Sequence, residues 1–281
     1  MAQTQWRYYN HAVMPNNAPH EEVDVREIED KSIWNKYPKA IMATWTSDFD
    51  CGYDTGWWAT IKDGDSFLVD SLSYKSRKSI RISNRNCYVK KIDPAEYAEA
   101  LAEVYMSAVK KYKVFKQSKK KEDLIRGYQN PKDRVYWGGF ERESDKLIGY
   151  LTTVEHEDYA EVPAAKYATE YLKLGVSGAL HAAILDYYIN EQGKKYVLAG
   201  FRNIQHVTNV QDYLIRHFDF RNAFVKLHVE INPKYRTLIR FLYSVRGLLR
   251  LGILDKIGII HRINGVLTMK EIADNCASNK P

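Results

Sequence analysis

Residues Lys166 to Phe201 read KYATEYLKLGVSGALHAAILDYYINEQGKKYVLAGF, and the three parts of this stretch decide the fold. Lys166 to Leu172 is read as a strand, with two tyrosines and a threonine in seven residues. Val176, Leu180, Ala183, Ile184 and Tyr187 then recur at the helical period. Ser177 stands near the start of that helix, and Gly193 just past its end is a stop signal. Lys195 to Phe201 follows at once as another strand, so a helix joins two strands of an α/β protein.

Working upstream, Arg134 to Arg142 and Lys146 to Val154 are strands joined at Glu143-Ser144-Asp145, a hairpin pattern. Before them, Asp93-Pro94-Ala95-Glu96 has the side chains of a capping box and a proline suited to a first turn. It opens a helix whose Tyr97, Leu101, Val104, Tyr105, Ala108 and Tyr112 form one apolar face. Lys110 to Lys121 ends that helix, and a shorter one over Glu122 to Tyr128 stops before Asn130-Pro131. Downstream, a helix over Val207 to Phe218 turns Val210 and Leu214 inward, and a strand over Asn222 to Ile231 stops at Asn232-Pro233. From Asp93 the order is α-α-β-β-β-α-β-α-β.

The N-terminal third reads less sharply. Residues up to about 38 are loops with one short helix over Val23 to Trp34. Ala40 to Thr46, Trp57 to Lys62 and Phe67 to Asp70 are β-branched and aromatic runs, expected to form a small antiparallel unit. Ser73 caps a helix reaching Asn86, on which Lys78, Arg81 and Arg85 make a basic stripe, and Tyr88 to Ile92 is a strand.

With 281 residues, 45% of them hydrophobic, the chain has material for one large or two small cores. Its 42 Lys and Arg against 35 Asp and Glu give a net charge of +7, which modestly favours anionic partners. The three cysteines, Cys51, Cys87 and Cys276, have no metal-site or disulfide-framework spacing, so no metal is expected and a reducing compartment is. The first residues lack the apolar core of a secretory leader, and no apolar run approaches the roughly 18 residues of a membrane span. These features predict an intracellular, cytoplasmic protein. The 21 tyrosines are read first as packing residues.

The element order resembles the core of the GNAT N-acyltransferases from Asp93 to Asn232. Phe218-Asp219-Phe220-Arg221 is similar to the Gly-Phe-Arg ending of that family's last helix, with Asp219 in the place of glycine. Lys75-Ser76-Arg77-Lys78-Ser79-Ile80-Arg81 through Asn86-Cys87-Tyr88-Val89 resembles the basic helix and following strand of Fem-type peptidyltransferases, which contain two GNAT-like units. The resemblance implies an α/β (α+β) fold with a mixed central sheet flanked by helices. It divides the chain into an abbreviated first unit (1–92), a second unit (93–232) and a basic amphipathic tail (233–281).

The same resemblance implies transfer of an acyl or aminoacyl group to an amine of an amino sugar, a peptide or a lipid-linked cell-envelope precursor. Acyl-coenzyme A would be the cosubstrate, its pyrophosphate held by backbone N–H groups of Gly175, Val176, Ser177 and Gly178 at a helix N-terminus. Glu170, His206 and His156 are the candidate bases, with Glu155 beside them. Leu172 stands where the family's phosphate loop carries Gln or Arg, and Ile215 where a general-acid tyrosine is usual. These departures leave a second reading open, a GNAT-like binding module without catalysis.

The lysine clusters Lys75 to Arg85 and Lys110 to Lys121 interleave with Tyr74, Tyr112 and Phe115. They are read as solvated faces, as contacts to an aminoacyl-tRNA donor or phosphorylated lipid carrier, or, in a third reading, as an RNA-binding surface. Lys234 to Leu254 is a basic amphipathic helix, either docked on the protein or lying peripherally on the inner face of a membrane. No H-E-x-x-H occurs, and Gly175 to Ala179 misses G-x-S-x-G at its last position, which removes those hydrolase classes.

Overall fold

Strand pairing separates residues that are close in sequence. The computed structural model describes residues 3–110, 119–131, 133–204, 209–250 and 258–278. A hairpin of β1 (Trp6–Tyr9) and β2 (Ala12–Pro15) precedes two short helices, α1 (Arg26–Glu29) and α2 (Ile33–Lys36). There follow β3 (Met42–Ser47), β4 (Trp58–Asp63), α3 (Tyr74–Asn86), β5 (Cys87–Ile92), α4 (Ala98–Val109) and α5 (Lys121–Gln129). Next come β6 (Val135–Glu141), β7 (Leu147–Glu155), β8 (Tyr159–Tyr167), α6 (Val176–Leu185), β9 (Tyr196–Phe201) and α7 (Val210–Phe218). The chain closes with β10 (Arg221–Phe224), β11 (Lys226–Ile231), α8 (Arg236–Ser244), α9 (Arg246–Leu249) and α10 (Gly258–Ser278).

Contacts divide the chain into two units, one of residues 60–200 and 209–221, the other of 1–59, 201–208 and 222–281. Their limits are set by spatial pairing and so differ from the linear segments ending at 92 and 232.

The first of these units is built on the strands β4-β9-β8-β7-β6-β5 of a mixed sheet. From β5 to β8 the neighbours are antiparallel, and β9 joins β8 in parallel. Side chains alternate across β6. Tyr136 and Phe140 meet Leu101, Val104 and Leu124 of α4 and α5, while Trp137 packs with Leu180 and Ile184 of α6. Gly139 and Gly149 let α6 lie close, since a Cβ there would come within 2.6 and 2.9 Å of Val176 Cγ2. Leu101, Leu151, Leu180 and Ile184 are each fully buried, and each contributes about 1.5–3 kcal/mol by leaving water.

The second unit has a four-stranded sheet in the order β1-β2-β3-β11, with β11 antiparallel to β3 and His228 opposite Trp45. Ile239 of α8 and Leu267 of α10 cover Met42 and Ile231. Farther along α10, Ile272 and Cys276 pack on Trp57, Val225 and Leu227.

The hairpin, the helix capped by Ser73 and the helix at Val176 match the sequence reading; the helix expected to open at Asp93 begins at Ala98 with no side-chain cap, and Asp93 Oδ1 accepts from Ala95 N–H at 2.9 Å in the turn before it. Ser73 Oγ accepts from Ser76 N–H at 3.2 Å. Four other expectations are corrected. The strand expected over Lys166 to Leu172 is β8, which starts seven and ends five residues upstream, and Thr169–Leu174 is a 3₁₀ turn. Pro163 and three alanines hide β8 from a propensity reading. The register shifts between Thr152 and Val154, and Pro163 falls in the resulting bulge, where its missing N–H breaks no ladder bond. The expected antiparallel unit over 40–71 does not form, because β3 pairs β11 while β4 enters the other sheet. Phe67 instead exchanges backbone bonds with the Asn190 side chain at 2.7 and 2.8 Å. The helix over Val23 to Trp34 is divided at Lys31 (φ 65°), and the strand over Asn222 to Ile231 is divided at Val225, whose N–H goes to Trp57 O.

Candidate functional site

β8 and β9 pair only over Tyr159–Tyr196, Ala160–Val197 and Glu161–Leu198. β8 stays with β7 as far as the Tyr167–Gly149 pair, so β9 is the strand that departs. Where the two part lies a cleft of about 250 Å³ lined by Tyr167, Ser177, His181, Asn209, Val210 and Tyr213. Tyr167 ends β8, Ser177 and His181 lie one turn apart on α6, and the others come from the start of α7. None of the six is Asp, Glu, Lys or Arg.

The helix periodicity that buries Val176, Leu180 and Ile184 also turns Ser177 and His181 toward this cleft. His181 is 2% exposed, and burial pushes its imidazole down to a pKa of about 4. Its Nδ1–H donates to Ser177 O at 2.8 Å, which leaves Nε2 as the lone-pair nitrogen. The Tyr213 and Ser177 hydroxyls are 3.5 Å apart, and burial pushes the Tyr213 phenol up, so it stays protonated. Phe218 supports the imidazole with ring centroids 5.6 Å apart. A neutral base and two hydroxyls therefore border one largely uncharged space, a set able to take a proton and to stabilise a developing oxyanion.

Of the expected loop residues, Ser177 lines the cleft. Val176 is a core residue seated over Gly139 and Gly149. Gly175 is left-handed (φ 81°), and its Cβ position is taken by Ser83 Oγ of α3; at Gly178 the same oxygen would be 2.6 Å from a Cβ. The glycines thus admit α3 against the start of α6, where the N–H groups of Gly175 and Gly178 already donate to Leu172 O and Gly175 O at 3.1 and 2.8 Å.

Glu170, in the turn after β8, accepts from Ser107 Oγ at 2.7 Å and Thr169 Oγ1 at 3.3 Å, and these bonds hold its carboxyl below the usual range. His156 follows β7; its ring stacks on Tyr159 at 4.2 Å. β8 separates these two by roughly 26 Å, at about 3.3 Å per residue from Tyr159 to Tyr167. His206 lies outside the described residues. Glu155 accepts from Tyr188 OH at 2.8 Å. Among the described residues, no group of three or more His, Cys, Asp or Glu is placed to hold a metal ion.

The sequence reading missed His181 and Tyr213. The i, i+4 spacing of Ser177 and His181 beside an apolar stripe was the available signal for the first. Counting back from Asp219 led to Ile215, which packs on the core, whereas Tyr213 two residues earlier carries the hydroxyl. Asp219 itself is left-handed (φ 57°), which accounts for glycine being usual at that point of the family pattern.

No protein-family model and no curated protein sequence matches the chain. Solved structures do. FemX aligns with a TM-score of 0.58 at 10% identity, covering 84% of this chain and 86% of that one. The L-PGS of Bacillus licheniformis aligns at 0.51 and 14% identity, covering 86% and 84%. The C-terminal domain of a putative lysylphosphatidylglycerol synthetase from Agrobacterium fabrum aligns at 0.52 and 9% identity, again over 86% and 84%. The fold is GNAT-like and Fem-type. At such identities the likeness is one of fold. Within the Fem-type fold of this chain, the parting of β8 and β9 coincides with the cleft that holds His181.

Proposed function

We propose that the protein is an acyltransferase that moves an acyl or aminoacyl group from an activated ester or thioester onto an amine. The observation that carries this reading is the buried neutral imidazole of His181 in the cleft where β8 and β9 separate. In the proposed reaction the amine nitrogen attacks the carbonyl carbon and its proton passes to His181 Nε2. The bond to the leaving sulfur or oxygen breaks with its electron pair, and that atom takes a proton from Tyr213 or solvent. Ser177 and Tyr213 are the hydroxyls that meet the oxyanion. An uncharged lining favours a small acyl group without a side-chain charge.

Acyl-coenzyme A is one donor, met at the start of α6 by the N–H groups of Val176 and Ser177, since those of Gly175 and Gly178 are engaged. An aminoacyl-tRNA is the other, favoured by the exposed Lys75, Lys78, Arg81 and Arg85 of α3. The acceptor is an amino sugar, a peptide or a lipid-linked envelope precursor. Peripheral contact with an anionic membrane is part of this reading. α8 docks through Ile239, yet Leu238 and Phe241, 54% and 63% exposed, stand on its outer side beside Arg240. Residues 251–254 of the expected tail helix lie outside the described residues. Among the described residues, no helix is long and apolar enough to cross a membrane.

A second reading, a binding module without chemistry, is favoured by Ser83 filling the approach to Gly175 and Gly178. One experiment separates the two. The purified full chain is supplied with acyl-coenzyme A species and with aminoacyl-tRNAs over a panel of amines. Consumption of either donor that is lost in His181→Gln supports the transferase. A folded protein that consumes neither donor supports the silent module.

A further inference from the structure

The unit containing β3 and β11 has a cleft of its own, of about 340 Å³, in which Trp45, Phe49 and His228 meet Glu21, Glu22 and Asp48. Trp45 and His228 are cross-strand partners, and their rings stack 5.0 Å apart at an interplanar angle of 9°, giving the cleft a stacked aromatic pair as one wall. Ser47 Oγ lies 2.8 Å from His228 Nε2; with the hydroxyl donating, the imidazole is the neutral Nδ1–H tautomer. Half-burial of this ring pushes its pKa down, so the wall carries no positive charge near neutral pH.

The charged residues that line the cleft are of one sign. No lining residue is Lys or Arg. Glu21 Oε2 accepts from Ala18 N–H at 2.9 Å, which fixes that carboxylate at the rim. Asp48 is paired with Lys226 at 2.5 Å, and Glu22 is exposed at the mouth. The cleft therefore keeps a negative balance in a chain whose net charge is +7. Carboxylates over aromatic, low-dielectric walls attract a cation in two ways, by charge and by the ring quadrupole. The volume is at the small end of ligand sites.

We infer that this cleft binds a small organic cation, an ammonium or guanidinium group on an apolar stem, against the Trp45–His228 wall. The site is separate from the His181 cleft, and its occupancy does not depend on the transferase reading.

The test is calorimetric titration of the full chain with cadaverine, agmatine and tetramethylammonium, using 1,5-pentanediol as the neutral match for cadaverine. Saturable binding of at least one cation is expected, with the diol inert. Trp45→Ala should weaken binding about three- to thirtyfold. Glu21→Gln with Glu22→Gln, both on the surface, should weaken it several-fold and flatten its salt dependence. Trp45→Phe, which retains an aromatic face, should lie between wild type and Trp45→Ala. No saturable binding, equal binding of the diol, or binding unchanged in both the Trp45→Phe and the double glutamate variants overturns the inference.

Discussion

His181 Nδ1 donates to the carbonyl oxygen of Ser177, 2.8 Å away and one turn back along α6. This bond settles which nitrogen keeps its lone pair, and it ties the base to the helix that also supplies Ser177. In the transferase reading the imidazole accepts the amine proton, so His181→Gln is expected to lower the transfer rate about 10²- to 10⁴-fold. Tyr213→Phe, which keeps the ring against Phe218 but deletes the hydroxyl, should cost less than His181→Gln. Steady-state rates checked against folded, monodisperse protein decide this. A Gln variant as fast as wild type would remove His181 from the chemistry.

The same burial makes stability depend on pH. His181 has a pKa of about 4 when folded and an ordinary value of 6.5 when unfolded, so between those pH values the unfolded chain holds the extra proton. Its contribution is complete above about pH 6.5 and is lost as pH falls toward 4, a difference of roughly 3 kcal/mol. His217 and His228 are also pushed down by burial and act in the same direction. Urea unfolding at pH 7 and pH 5 should therefore show a drop that is smaller in His181→Gln than in wild type. Equal drops would mean that His181 is hydrated in solution.

Gly175 and Gly178 were legible in the sequence as a loop entering a helix, but their reason was not. A short-range pattern cannot show that Ser83, about ninety residues upstream, closes on both. The same limit explains β8, whose strand character comes from pairing with β7 despite Pro163, and β11, which returns to β3 across most of the chain. What was legible is local: the Ser73 cap, the turn at Asp145 (φ 56°), and the apolar stripes of α4 and α6. The cleft was half legible. Ser177 could be picked out on helix-terminus grounds, whereas Tyr213 and His181 meet only because α7 packs beside α6.

If the two glycines exist to admit α3, enlarging them must cost stability in a way that Ser83 controls. Gly178→Ala is expected to destabilise by about 1–3 kcal/mol through overpacking. Ser83→Gly should recover part of that loss in the double variant, giving a coupling of about 0.5 kcal/mol or more. Chemical denaturation of the four proteins measures it directly. Additive losses would show that Ser83 is not the neighbour that matters.

Asp219 offers a cleaner case of backbone conformation. It is left-handed (φ 57°), its side chain is 75% exposed, and its carboxylate stands 3.3 Å from Lys62 Nζ, which is itself buried and also donates to Asp63 O. Asp219→Gly relieves the left-handed cost while losing the ion pair, two effects of opposite sign, and should change stability by less than about 1 kcal/mol. Asp219→Ala loses the pair and keeps the strain, so it should be the less stable of the two by about 1 kcal/mol. The order of the two melting temperatures is the measurement, and an alanine variant equal to the glycine variant would mean that α7 ends differently in solution.

The outer side of α8 carries the last prediction. Ile239 anchors the helix on Met42 and Ile231, so the exposure of Leu238 and Phe241 is not needed to hold it in place. Arg240 lies between them in sequence, whereas Arg236 is engaged with Glu230 at 2.8 Å. Apolar side chains beside a cation bind the interface of an anionic bilayer by partial insertion plus charge. Co-sedimentation is expected with vesicles containing phosphatidylglycerol and not with phosphatidylcholine alone, and it should weaken as salt is raised. Leu238→Asp with Phe241→Asp should abolish it without unfolding the protein, because neither residue is buried. Retention of vesicle binding in that double variant would move any membrane contact away from α8.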